Sequence, residues 1–166
     1  REHGLNLTCL GYGGNCHLDT MVARVIRDRP ADLISLSVGA NIQIQSSLNR
    51  RTFASSVIGF IEIIREKHQD TPLVIMSPFY CEEGETIPNL VGFTMPDIRD
   101  EIEKVFKALS ENGDNNLYYV NGLDLLNKEH RNLFPDGKHP NANGYATISQ
   151  NIEPLLSKAF QHVAIN

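Results

Sequence analysis

Two periods of apolar residues alternate along this chain. Nearly continuous apolar runs at 5–10 ("LNLTCL"), 32–39 ("DLISLSVG"), 71–78 ("TPLVIMSP") and 117–121 ("LYYVN") read as strands bounded by Gly, Pro or Asn. Between and after them, apolar positions recur every three or four residues, as on one face of a helix. Leu18, Met21, Val22, Val25 and Ile26 make such a face, and Pro30 ends it. Phe53, Val57, Ile61 and Ile64 define a helix from about Thr52 to His68. A further helix opens at Thr94, with Pro96 near its first turn and Asp97, Asp100 and Glu101 at its positive end. Ile98, Ile102, Val105, Phe106 and Leu109 are its stripe, and Gly113 is its stop. The last helix begins near Pro140 or Asn141, with Tyr145, Ile148, Ile152, Leu155, Leu156 and Phe160 as its core face. Pro154 removes a hydrogen bond there at a cost of ~3 kcal/mol, so a kink or break is expected at 152–154.

Alternating strands and helices predict the α/β class, a parallel sheet with helices on both faces. The run at 32–39 is apolar at nearly every position except its serines, as in a strand covered on both sides. Right-handed crossovers gather the C-terminal ends of the strands at one edge, where ligands bind. That edge collects "GYGGN" after the first run, "GAN" after the second, the long loop 79–94 after the third, and "DGKH" after the fourth.

Composition narrows this picture. A chain of 166 residues suits one domain with a substantial core. Hydrophobic residues at 41% and charged residues at 21% are globular values and argue against disorder. A net charge of −5 without a basic run lacks the footprint of a nucleic-acid partner. The longest apolar stretch, "SVIGFIEII", is broken by Glu62, so no membrane span is expected. The three cysteines, Cys9, Cys16 and Cys81, form no CxxC pair; this favours a reducing compartment such as the cytoplasm over a disulfide framework. There is no HExxH or acidic cluster for a metal. Cys16 and Cys81 read as small core residues, and His3, His17, His68, His130 and His162 as surface positions.

The stretch "FPDGKHPNANGY" (134–145) carries the most specific chemistry. Asp136 and His139 are spaced for one tight turn, with Gly137 free to take positive φ and Pro140 holding His139 extended. A carboxylate on imidazole Nδ1 fixes the tautomer and leaves Nε2 to accept a proton. The same spacing also fits a helix-capping Asp beside a surface His. Gly14 and Asn41 each follow a strand, where a backbone N–H and a side-chain amide could stabilise an oxyanion; each is equally an ordinary turn residue. A dinucleotide fingerprint fits poorly. After Gly11 and Gly13 its third small residue would be Cys16, and the following acid, Asp32, precedes its strand.

Taken together and in this order, "GYGGN", "GAN" and "DGKHPNANGY" resemble the SGNH hydrolases, the GDSL esterase/lipase family. The resemblance covers essentially the whole chain but only three of the family's four motif blocks. It implies a flavodoxin-like three-layer α/β/α fold, ester hydrolysis through an acyl-enzyme, and no cofactor. Acyl transfer with the same parts is an alternative, and a non-catalytic binding module is another. By resemblance, Gly14 and Asn41 match the oxyanion-hole glycine and asparagine, and Asp136 and His139 match the acid and base of the triad. Substrates would be small or medium acyl esters, with 42–50 and 79–94 as pocket walls. Ile42 stands where the family usually has Asp. The nucleophilic Ser block is absent: Ser35 and Ser37 lie within a strand and Ser77 ends one. The resemblance therefore implies an N-terminally incomplete domain. The family's central strand would fall between 5–10 and 32–38, and these two segments should not pair.

Overall fold

The computed structural model describes residues 5–161, with the side chains of residues 158, 160 and 161 outside that description. Its centre is a three-stranded parallel sheet in the order β1 (Ile34–Ser37), β2 (Leu73–Met76), β3 (Leu117–Val120). Ile34 lies opposite Leu73, and Leu73 opposite Leu117. Helices α1 (Thr20–Arg27), α3 (Arg50–Arg65) and α5 (Met95–Glu111) cover one face. Helices α6 (Gly122–Leu125) and α7 (Ala142–Gln161) cover the other. This is the three-layer α/β/α arrangement. Short helices α2 (Ala40–Gln45) and α4 (Glu82–Thr86) and a 3-10 turn (Lys128–Leu133) occupy the connections after the strands.

The main core lies between the sheet and α3 and α5. Phe53, Val57, Ile61 and Ile64 are buried from α3, and Ile98, Ile102, Val105 and Leu109 from α5. Phe53 meets Phe93 edge-to-face at 5.7 Å, worth about 0.5–1.5 kcal/mol beyond burial alone. Capping sets where these helices begin. Asn49 accepts from Arg51 N and Thr52 N, and Thr94 and Asp97 form a reciprocal box at the start of α5. At the last residue of α3, Arg65 pairs with Asp114 through both oxygens (2.8 and 2.9 Å) and donates to the carbonyls of His68 and Thr71. That fixes the entry into β2.

Several sequence expectations change. Residues 5–10 form no strand; they have no ladder partner among the described residues, and Leu5 and Leu7 are 54% and 82% exposed. A strand pattern becomes a strand only where a neighbouring edge pairs with it. With no strand at 5–10, the expected gap between two strands at this edge does not arise. β1 is buried on one face only, since Ser35 and Ser37 are exposed. On α1 the buried contact is Ala23, whose small side chain lets the helix approach α3, whereas Met21, Val22 and Val25 are exposed. α7 runs through Pro154 without a break, and its Tyr145 is exposed. Phe160 lies outside the described side chains. His68 is buried rather than superficial, with Nδ1 at 3.1 Å from Thr71 Oγ1; His3 and His162 lie outside the described residues.

Candidate active site

The turn 134–139 is built around one carboxylate. Gly137 N donates to Phe134 O (3.0 Å), and Gly137 takes φ +75°, a conformation that favours glycine. Asp136 Oδ1 then accepts from the backbone N–H of Lys138 (2.9 Å) and of His139 (2.7 Å). Its second oxygen, Oδ2, is left for His139 Nδ1 at 2.6 Å. The His139 ring, followed by these two backbone groups, holds the Asp136 carboxyl well below the usual carboxylate range. An ionised Asp136 only accepts, so in the neutral ring the proton sits on Nδ1 and the lone pair on Nε2, which has no hydrogen-bond partner among the described residues. Both side chains are largely exposed, at 75% for His139 and 56% for Asp136. Behind the turn, Asn141 N donates to Leu133 O (2.8 Å), and Asn141 Oδ1 accepts from Gly144 N (3.0 Å) to cap α7. A Cβ on Gly144 would press on Pro140 Cβ at 2.8 Å, so "PNANG" is the seat on which the Asp-His turn rests.

Gly14 and Asn41 are brought together by the loop before α1. Gly14 sits at φ +73° in the turn Tyr12–Asn15. Asn41 lies in the first turn of α2, reached through Gly39 at φ +103°. Cys16 N donates to Asn41 Oδ1 at 3.0 Å. That bond orients the amide: its oxygen is turned to the loop, and Nδ2 has no protein partner among the described residues. The Cys16 thiol, pushed up by burial and by Asp19, lies 3.4 Å from Ser37 O, partly buried at the end of β1.

The two halves share the C-terminal edge of the parallel sheet and are linked through α4, an element with no clear periodic signal. Lys138 Nζ is 3.8 Å from Glu83 Oε2, and Gly84 packs closely against Gln43 of α2 and Met95 of α5. Arg99 holds α4 in place. It is buried, pairs with Glu85, and reaches the carbonyls of Pro78 and Phe79. No hydrogen bond joins Asp136 or His139 directly to Gly14 or Asn41 among the described residues. Ser77 is fully buried, and its Oγ accepts from Tyr119 OH and Gly122 N (both 3.1 Å), which removes it as a nucleophile. The described residues contain no His/Cys/Asp/Glu cluster suited to a metal and no helix long and apolar enough to cross a membrane.

Residues 1–157 match the sequence model of the GDSL-like lipase/acylhydrolase family. Among solved structures, the chain is similar to a salicylyl-acyltransferase, SsfX3, from a tetracycline biosynthetic pathway. Identity is 34% and the TM-score 0.85, over 95% of this chain and 46% of that one. It is also similar to a putative GDSL-like lipase from Bacteroides ovatus, with 22% identity and a TM-score of 0.73 over 89% of this chain and 42% of that one. A family 3 carbohydrate esterase from Clostridium thermocellum shares the fold, with 16% identity and a TM-score of 0.62 over 83% and 66% of the two chains. The chain thus spans less than half the length of the first two. No curated protein matches it.

Proposed function

Given that the chain belongs to the GDSL-like lipase/acylhydrolase family, we propose that it supplies the base, its orienting acid and the oxyanion donors of a serine acyl-ester hydrolase. The observation that carries this reading is the 2.6 Å contact between Asp136 and His139 Nδ1, with the carboxylate held by two backbone N–H groups. His139 Nε2 takes the proton of a serine hydroxyl as it attacks the ester carbonyl, then returns it to the leaving alcohol. Asp136 stabilises the imidazolium. Gly14 N–H and Asn41 Nδ2 hold the oxyanion. Water then cleaves the acyl-enzyme by the same route. The nucleophilic serine comes from outside residues 1–166, and substrates are small or medium acyl esters bordered by the loops at 42–50 and 79–94. A second reading, transfer of the acyl group to an acceptor other than water, is favoured by the likeness to an acyltransferase at 34% identity.

The test is hydrolysis of nitrophenyl acetate. The full-length protein turns it over through an acyl-enzyme, and the 166-residue chain alone does not. In the full-length protein, His139→Ala lowers kcat by roughly 10⁴-fold or more, and Asp136→Asn by as much or less. Asn41→Ala lowers it by roughly 10²–10³-fold. Activity indifferent to His139→Ala overturns the assignment. A full-length protein without turnover favours a binding module. Addition of alcohol or amine acceptors then separates hydrolysis from transfer by the product formed.

A further inference from the structure

The turn that presents Gly14 has two possible states. Asn15 N donates to Tyr12 O at 3.1 Å, which places Gly13 and Gly14 at the centre of a four-residue turn. Gly14 has φ +73°, whereas Gly13 is not among the positive-φ residues; that combination is a type II turn. Types I and II differ by a half-rotation of the central peptide, here the unit joining Gly13 C=O to Gly14 N–H. One state points the N–H to a given side, and the other points the carbonyl there. The turn type therefore decides whether a developing oxyanion meets a donor or an acceptor.

Side chains from two segments hold the observed state. Asn15 Nδ2 donates to Gly13 O at 2.7 Å, on the very peptide that would rotate. The next carbonyl, Gly14 O, accepts from Gln45 Nε2 and from His17 Nε2 at 3.1 Å. His17 is steadied through Nδ1, 2.8 Å from Ser47 Oγ. The support is reciprocal: α2 holds the loop through Gln45, and the loop holds α2 through Cys16 N on Asn41 Oδ1. Resting on the reading of Gly14 and Asn41 as oxyanion donors, we propose that Asn15 is a positioning residue. Its side chain latches the Gly13–Gly14 peptide with the Gly14 N–H facing the site, and Gln45 and His17 anchor the following carbonyl.

The latch is tested in the full-length protein with nitrophenyl acetate. Asn15→Ala lowers kcat about three- to tenfold, the scale of one hydrogen bond, and leaves KM within about twofold, because only the transition state carries the oxyanion charge. Asn15→Asp does at least as much harm. It keeps the shape but can only accept, so it repels Gly13 O where Asn15 attracts it. Gln45→Ala, on a separate element, shows the same split between kcat and KM, which keeps the proposal testable if the Asn15 variants fold poorly. The turn itself is read by NMR: a strong Gly13 Hα–Gly14 HN contact marks type II, and it weakens in Asn15→Ala. Unchanged kcat in the Asn15 variants while Asn41→Ala still collapses activity overturns the latch and leaves the proposed function standing. So does a loss of kcat with an unaltered turn. If Asn41→Ala and His139→Ala are silent as well, the proposed function itself has failed.

Discussion

Gly39 joins β1 to the helix that carries Asn41, and replacing it with Ala should damage fold and site together. Its φ of +103° is one that residues with a Cβ rarely adopt. The added methyl would lie well inside contact distance of Ile98 Cγ2, 3.2 Å from Pro78 Cγ and 3.3 Å from Ile102 Cδ1. Ile98 and Ile102 are fully buried, so any retreat must be made within the packed core. Backbone strain costs ~1–2 kcal/mol and overpacking ~1–3 kcal/mol, together about 2–5 kcal/mol. Gly59 is the matched control. It lies inside α3 and its Cβ would meet nothing within 4 Å, so Gly59→Ala should stabilise by about 0.5–1 kcal/mol. Equilibrium urea unfolding reads both. For a slope of ~2 kcal/mol/M, Gly39→Ala lowers the midpoint by roughly 1–2.5 M and Gly59→Ala raises it by up to about 0.5 M. In the full-length protein, the folded fraction of Gly39→Ala should also lose kcat, because α2 shifts. A Gly39→Ala variant as stable as its parent would show that neither the positive φ nor the close packing at Gly39 limits stability; a destabilised Gly59→Ala would remove the control.

Further outcomes follow from other contacts. Arg99→Ala leaves Glu85 without its partner beneath α4 and should cost about 3–5 kcal/mol, read by the same unfolding curves; the double change to Arg99→Met and Glu85→Gln should recover much of that loss. Gly122→Ala drives a methyl into the backbone of Ser77 and Pro78, so the protein should fail to accumulate in soluble form. Burial pushes the Asp97 carboxyl up, but hydrogen bonds from Arg50 and Thr94 outweigh it and bring the group down from 3.8 to about 2. Its folded pKa is depressed, so its contribution is complete above pH ~4 and disappears as pH falls towards 2. Asp97→Asn should therefore lower stability at pH 7 and flatten the acid limb between those values.

The helices α3 and α5 were legible because Phe53, Val57, Ile61 and Ile64, and then Ile98, Ile102, Val105 and Leu109, repeat at helical spacing and are buried. The strands at β1, β2 and β3 were legible for the same kind of reason. Residues 5–10 carry an equally good strand pattern but are unpaired among the described residues, because pairing depends on a neighbour that local pattern does not report. Met21, Val22 and Val25 show the same limit on α1: periodicity names an apolar face but not what covers it. The Asp136–His139 unit could be read from spacing because its turn is local. The hold of Cys16 N on Asn41, the clasp of Asn15 and Gln45 around Gly14, and the bridge from Lys138 to Glu83 could not. Most of these join residues distant in sequence through single polar atoms, which leave no period behind.

In the proposed mechanism His139, oriented by Asp136, activates a serine. A fluorophosphonate tests it without assuming the natural ester. The serine oxygen bonds to phosphorus, fluoride leaves, and His139 takes the hydroxyl proton. Mass spectrometry of the labelled full-length protein should find one adduct, on a serine outside residues 1–166, and His139→Ala should slow its formation by roughly 10³-fold or more. Labelling at an unchanged rate in His139→Ala, or no serine adduct in the unaltered protein, would exclude His139 as the base that activates a serine.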